Sequence, residues 1–271
     1  MEPGGRRSAE ASVTAYAGRV RSDLFVHVEQ PSTEAGFRLQ NSKLLKATVN
    51  GGSFFARRGA MVAYQGNARF EFQGALSGDG SMKDKLLKAA KGAISGEGVP
   101  LMKVTGQAEV FLADQAADIF LINLDPGDAL SINGANILAF ESSLDYDIKL
   151  MTNAGVFAGA GLFNTIVQGQ GTVAITSHGQ PVVLETTHQP TFVDPNAAIC
   201  WSANLQVNLS RSEGMGSFIG RTSGEHFQMQ FSGPGFVVVQ PDENRSGIGQ
   251  TGTTQASGPG GALGGLLGGG R

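Results

Sequence analysis

Four histidines, one cysteine and two short acidic motifs are the places where this chain could do chemistry. The histidines are His27, His178, His188 and His226. A zinc or cupin-like metal site needs histidines at close spacing with a carboxylate, and neither HExxH nor a pair two residues apart occurs. His27 and His226 fall at polar positions of alternating segments, where solvent or a local hydrogen bond suffices. Cys200 stands beside Trp201 but has no neighbouring base in the sequence to make it a thiolate, so it reads as a packing residue. Asp145 and Asp147 project from one face of a strand and could hold a cation or pass a proton. The matching segment carries Gln206 and Asn208 there, so we read a solvated face. Asp125 to Asp128, DPGD, has calcium-like acids but lacks a full ligand loop, and a turn explains it. No phosphate-binding GxxxxGK[ST] is present, and GAGLFN and GEGVPL both lack the third glycine of a dinucleotide fingerprint. The expectation is a non-enzyme with no catalytic residue, no metal and no cofactor.

Charge is unevenly spread. Residues 38–103 hold eleven Lys or Arg against four acids, and residues 104–150 hold one Lys against eight acids. Arg57, Arg58, Lys83, Lys85, Lys88 and Lys91 would make a basic patch able to touch RNA or anionic lipid, unless folding mixes these segments into ordinary surface charge. The net charge of −3 argues against a chain built only to coat nucleic acid. A single cysteine forbids an intrachain disulfide and fits a reducing compartment. No apolar run approaches the roughly 18 residues of a helical membrane span. The first residues have arginines but no apolar secretory core; their Arg, Ser and Ala content faintly resembles a mitochondrial presequence, against which Glu2 and Glu10 count. The expected location is the cytoplasm, or the mitochondrion if the chain is eukaryotic.

The elements that must position these residues are strands. LDYDIKL puts Leu144, Tyr146, Ile148 and Leu150 on one face and Asp145, Asp147 and Lys149 on the other. LQVNL, HFQMQF and ARFEFQ alternate likewise, the last expected to bury Phe70 and Phe72. One segment differs: Ser81 to Ser95 spaces Met82, Leu86, Ala90 and Ile94 by four and predicts an inserted amphipathic helix. Residues 1–22 and the Gly-rich tail, 241–271, cannot bury enough surface to offset their ordering entropy and predict flexible ends around one β domain, 23–240.

A seven-residue pattern recurs three times: VTGQAEV from Val104, VQGQGTV from Val167 and FSGPGFV from Phe231. Gly106, Gly169 and Gly233 lie 63 and 64 residues apart. A small residue precedes an aromatic at Ala63-Tyr64, Ala139-Phe140 and Cys200-Trp201, and each pair leads into an alternating strand. Ser-Gly-Glu recurs at 95–97 and 223–225. A strand glycine marks a bend or a close backbone approach, so the glycines are read as repeat positions and Tyr64, Phe140 and Trp201 as core anchors. The last glycine strand has no aromatic pair after it. This predicts that it pairs with the N-terminal strands and leaves fewer open edges.

The glycine strand, the small-aromatic pair and the Ser-Gly-Glu connection resemble the family named for altered inheritance of mitochondria, over about 24–240, as a bacterial-type member. The resemblance implies a fold like that of the tryptophan RNA-binding attenuation protein (TRAP-like): all-β, with three short double-stranded β-helix or sandwich repeats per chain. It implies that three chains close into a ring of nine such repeats, a homotrimer. No activity carries over. The function expected is a non-enzymatic oligomeric scaffold or interaction protein; an RNA- or anionic-surface-binding ring and a small-molecule binder with a pocket between β units stay open. The middle copy has AGAGLF where the outer two have Ser-Gly-Glu, so the three are not equivalent.

Overall fold

The computed structural model describes residues 29–73, 99–150, 163–211 and 227–242. Within them the chain is all-β, with sixteen strands and no helix. The first four are β1 (Gly36–Asn41), β2 (Leu44–Arg57), β3 (Met61–Gln73) and β4 (Leu101–Leu112). Next come β5 (Asp118–Leu124), β6 (Ala129–Asn133), β7 (Ile137–Glu141), β8 (Asp145–Leu150), β9 (Phe163–Gln168) and β10 (Gly171–Ser177). The last are β11 (Val182–Glu185), β12 (Thr191–Val193), β13 (Ala198–Ser202), β14 (Gln206–Arg211), β15 (Phe227–Ser232) and β16 (Phe236–Val239). The helix expected over 81–95 with its four lysines, both Ser-Gly-Glu echoes, His27, His226 and the terminal segments 1–22 and 243–271 lie outside the described residues.

All pairings are antiparallel. One sheet runs β3-β4-β2-β7-β10-β5 with β1 beside β2, a second runs β11-β16-β13-β6-β9-β8, and a third holds only β12-β15-β14. The first and second sheets share a core of Leu101, Ile137, Phe140, Val173, Leu130, Val167 and Cys200. The second and third share another, with Trp201 and Val237 meeting Met229 and Phe231. A further cluster around Leu45, Val104 and Val110 lies within the first sheet.

The alternation read from sequence places the side chains well in most strands. Leu144 is buried, Tyr146 and Ile148 are half-buried, and Asp145, Asp147 and Lys149 face solvent. Leu205, Met229 and Phe231 are buried while Gln206 and Asn208 are exposed. Phe72 is the exception: it is 59% exposed, with the Arg58 guanidinium 4.8 Å from its ring centroid. Among the described strands β3 pairs with β4 alone, which leaves the outer part of its apolar face uncovered by them.

The three glycine segments make the same pairs. Gly106, Gly169 and Gly233 have φ of +125°, +108° and +115°, a left-handed range that favours glycine. Four residues later, Val110 pairs with Ala47 and Tyr64, Val173 with Ile122 and Phe140, and Val237 with Leu184 and Trp201. Two residues before each glycine, Val104 pairs with Phe54 and Phe70, Val167 with Leu130 and Tyr146, and Phe231 with Thr191 and Val207. Each aromatic strand carries a register shift just before its small residue, between Met61 and Ala63, Ile137 and Ala139, and Ala198 and Cys200.

The phasing differs from the sequence expectation. Among the described residues the last glycine strand pairs with no N-terminal strand: β15 and β16 pair with β11, β12, β13 and β14. Each aromatic pair therefore belongs with the glycine strand that follows it, since Tyr64 faces Val110, Phe140 faces Val173 and Trp201 faces Val237.

Candidate assembly surface

Of the three aromatics expected as core anchors, two are. Phe140 is fully buried and Trp201 is 4% exposed, its ring 5.4 Å from that of Phe231. Tyr64 is not: it is 48% exposed. The difference lies in what covers the strand. β7 is flanked by β10 and β2, and β13 by β16 and β6, whereas β3 is paired with β4 alone among the described strands. Burial of an aromatic needs a neighbour on both sides of its strand, and its own hairpin supplies one.

The two covered cases share one pattern of flanking strands. β7 lies against the second half of β2, with Phe54 opposite Glu141, Phe55 opposite Phe140 and Ala56 opposite Ala139. β13 lies against β6, with Leu130 opposite Ser202, Ser131 opposite Trp201 and Ile132 opposite Cys200. Phe54 and Leu130 hold the same place beside their glycine strands, so the two junctions share one register. At the first junction Phe55, Phe140 and Tyr146 form a three-ring cluster with every centroid pair 5.1 Å apart. Such contacts add about 0.5–1.5 kcal/mol per pair beyond area burial.

Two edges of this kind are left over among the described strands. One is β3, which exposes Met61, Val62 at 58%, Tyr64 and Phe72. The other is β12, paired with β15 only, which exposes Phe192 at 54%. An unpaired strand presents free N–H and C=O groups as a template for another chain, and natural edges usually carry charge or proline instead of apolar side chains. Sequence reasoning passed over Phe192, whose place follows only from the pairing of Thr191 with Phe231.

The other sequence candidates have structural roles. Arg57 does not contribute to an open basic patch. Its guanidinium makes a 2.6 Å ion pair with Asp114, donates to the Gly134 carbonyl at 3.2 Å and also to the Ala135 carbonyl, tying the turn before β7 to the end of β2. A planar five-donor group suits such a three-way clamp. Arg58 stays exposed over Phe72, and Lys83, Lys85, Lys88 and Lys91 lie outside the described residues. Asp147 pairs with exposed Lys149 at 3.7 Å. The DPGD stretch is a turn closed by the Asp128 N–H on the Asp125 carbonyl at 2.9 Å, with the Asp125 N–H donating to the Asp128 carboxylate at 3.0 Å. Among the described residues no three His, Cys, Asp or Glu side chains converge as metal ligands. A shallow depression of about 520 Å³ lies where the long strands bend, bordered by Gly51, Gly52, Asn67, Lys103 and Gly106; it sits inside one group of strands, not between groups.

Cys200 is fully buried, and burial pushes its thiol up to about 12 from an ordinary 9.0. The folded chain thus keeps this proton while the unfolded chain releases it above pH 9, so the contribution to stability falls as pH rises from 9 towards 12. Between pH 9 and 10.5 the native protein is expected to lose about 1.5 kcal/mol more than Cys200→Ala, which has no thiol to titrate. Denaturant titrations of both at the two pH values measure this; equal losses would mean the thiol is ionised in the fold.

The strand pairing and the bent glycine strands define an antiparallel β protein. Among the described residues no helix is long and apolar enough to cross a membrane. The chain belongs to the mitochondrial biogenesis AIM24 family, whose model matches residues 37–242. A protein of Streptococcus pyogenes serotype M6, described only as uncharacterized, is 25% identical over 197 residues, covering 70% of this chain and 77% of its own. The crystal structure of another Streptococcus pyogenes protein superposes with a TM-score of 0.59 at 22% identity, covering 76% of this chain and 92% of that one. That likeness is one of fold.

Proposed function

We propose that this protein is a non-enzymatic oligomeric scaffold, a row of three similar β units whose copies assemble into a closed ring. The observation that carries the reading is the pair of leftover apolar edges, β3 at one end of the row and β12 at the other, each of a type that is covered elsewhere in the chain. On this reading the units are β2-β4-β3, then β5 and β6 with β7 to β10, then β11 and β12 with β13 to β16. Each unit bends at its glycine; the second and third give three strands to one sheet and three to the next, whereas β2, β3 and β4 of the first all lie in one sheet. Three chains, hence nine units, close the ring as a homotrimer. Its surfaces, not a reactive group, then carry its work: the described acids lie in turns, ion pairs or open strand faces, and the one cysteine is buried.

Light scattering after size-exclusion chromatography tests this. A mass of about three times the 28.1 kDa chain is expected. A monomer at micromolar concentration removes both the ring and the scaffold built on it.

A further inference from the structure

Both internal junctions obey one rule: an aromatic strand of one unit lies antiparallel beside the first strand to flank the glycine strand of the unit before it, β7 beside β2 and β13 beside β6. Phe55 faces Phe140 at the first and Ser131 faces Trp201 at the second. Carried one step further, the rule names the next pair without adjustable choice. Phe192 holds the place of Phe55 and Ser131, because Thr191 faces Phe231 as Phe54 faces Val104 and Leu130 faces Val167. Tyr64 holds the place of Phe140 and Trp201, because it faces Val110 as they face Val173 and Val237.

We infer that β12 of one copy pairs antiparallel with the first half of β3 of the next, with Thr191 opposite Gln65, Phe192 opposite Tyr64 and Val193 opposite Ala63. This rests on the assembly reading above and gives it a contact. Three observations support it independently of any count of subunits. The third sheet holds three strands where the second holds six, and β3, β4 and β2 of a neighbour are the three the rule would add. Of the eight large apolar side chains exposed among the described residues, five lie on the two strands that would meet (Met61, Val62, Tyr64, Phe72 and Phe192), the others being Leu39 on β1 and Val182 and Val183 on β11. Two rings of an aromatic cluster are already in place: Tyr64 and Phe70 lie 5.4 Å apart, as Phe140 and Tyr146 lie 5.1 Å apart, and Phe192 is the third ring at the place of Phe55. The contact is heterologous, joining unlike edges, so copies propagate head to tail until they close. Main-chain hydrogen bonds supply affinity and the aromatic pocket fixes the register, as in other strand additions.

Engineered disulfides across the junction test it. Phe192→Cys is combined with Tyr64→Cys, and Thr191→Cys with Gln65→Cys, since one of two adjacent pairs is the non-hydrogen-bonded kind whose side chains lie closer. After mild oxidation, more than half the chains of one of these double variants are expected as covalent dimers or larger on a non-reducing gel. Each single variant alone should remain uncrosslinked, and so should Phe192→Cys with Arg69→Cys, which is out of register. Crosslinking of a single variant to itself would mean like edges meet and would overturn the proposal. Absence of crosslinks in both double variants, while the unmodified protein scatters as an oligomer, would overturn this junction and leave the assembly reading standing. An unmodified monomer would overturn both, and would mean that another segment of the chain covers these edges. Phe192→Asp gives a second readout that needs no disulfide. It should convert the oligomer to monomer with its β circular dichroism retained, and an unchanged oligomer would count against the junction.

Discussion

Gly106→Ala is expected to prevent folding, whereas the same change at Gly233 costs only backbone strain. Both glycines sit at the same place in the recurring pattern and both have φ well above zero, +125° and +115°. Their surroundings differ. A Cβ on Gly106 would lie 2.1 Å from the Asn67 carbonyl oxygen, with the Asn67 carbonyl carbon and Ala68 Cα at 3.2 and 3.3 Å. All of that is backbone of the paired strand β3, which cannot retreat without breaking a long hairpin. A Cβ on Gly233 meets only the end of the Leu205 side chain, at 3.5 Å. A left-handed conformation alone costs a non-glycine residue about 1–3 kcal/mol. Adding a clash with immovable backbone takes Gly106→Ala beyond about 4 kcal/mol, a large fraction of a domain's stability. Soluble yield and urea midpoints of the two variants measure the contrast. Equal midpoints would show that β3 and β4 can separate at this point, and that the close approach is not a structural requirement.

The second large effect concerns a charge at a strand position that elsewhere is apolar. Lys46 is 2% exposed, with its ammonium 3.0 Å from Glu109 Oε1, 2.5 Å from Glu29 Oε1 and 2.9 Å from the Gln30 carbonyl. Glu109 is itself nearly buried and accepts from the Ser32 N–H at 2.5 Å. Burial pulls the Lys46 pKa down, but hydrogen bonds to Glu29 and Glu109 outweigh it and leave the pKa above the ordinary 10.5. The contribution is therefore complete below the unfolded value and fades as pH rises through the higher folded one. Lys46→Met leaves two carboxylates facing each other beside an apolar core. Breaking a buried pair in this way costs about 3–5 kcal/mol. The double variant Lys46→Met with Glu109→Leu removes the stranded charge and should recover most of that loss, since apolar replacement of a whole buried pair is often neutral or better. Denaturation of the single and double variants gives the full cycle. A single variant within about 1 kcal/mol of native would show that solvent reaches this site.

Much of the fold is legible in the residues. Alternation in LDYDIKL and LQVNL fixes which side chains face inward, because a strand has only two faces. The DPGD turn follows from Asp, Pro and Gly preferences that act over four residues. Recurrence of Gly and Val at near-constant spacing identifies three strands that then make identical pairs. What failed did so for a common reason. Tyr64 and Phe72 have the alternation of buried residues, but burial also needs a neighbouring strand, and pattern along one strand carries no information about what lies beside it. Arg57 counts as a positive charge in any tally of residues 38–103, yet the fold brings Asp114 and two turn carbonyls to it and spends that charge internally.

The sequence by itself therefore determined the class of structure, the direction of most side chains and the threefold recurrence of the bent glycine strand, since all three depend on short-range sterics and a period of two. Only the tertiary structure decided which strands sit side by side, that each aromatic pair precedes its own glycine strand, that Lys46 is enclosed, and that β3 and β12 are each paired on one side only among the described strands. Strand pairing joins residues far apart in sequence, and antiparallel edges accept many partners with nearly equal hydrogen bonding. The choice among them rests on packing across the whole core, which no local pattern records.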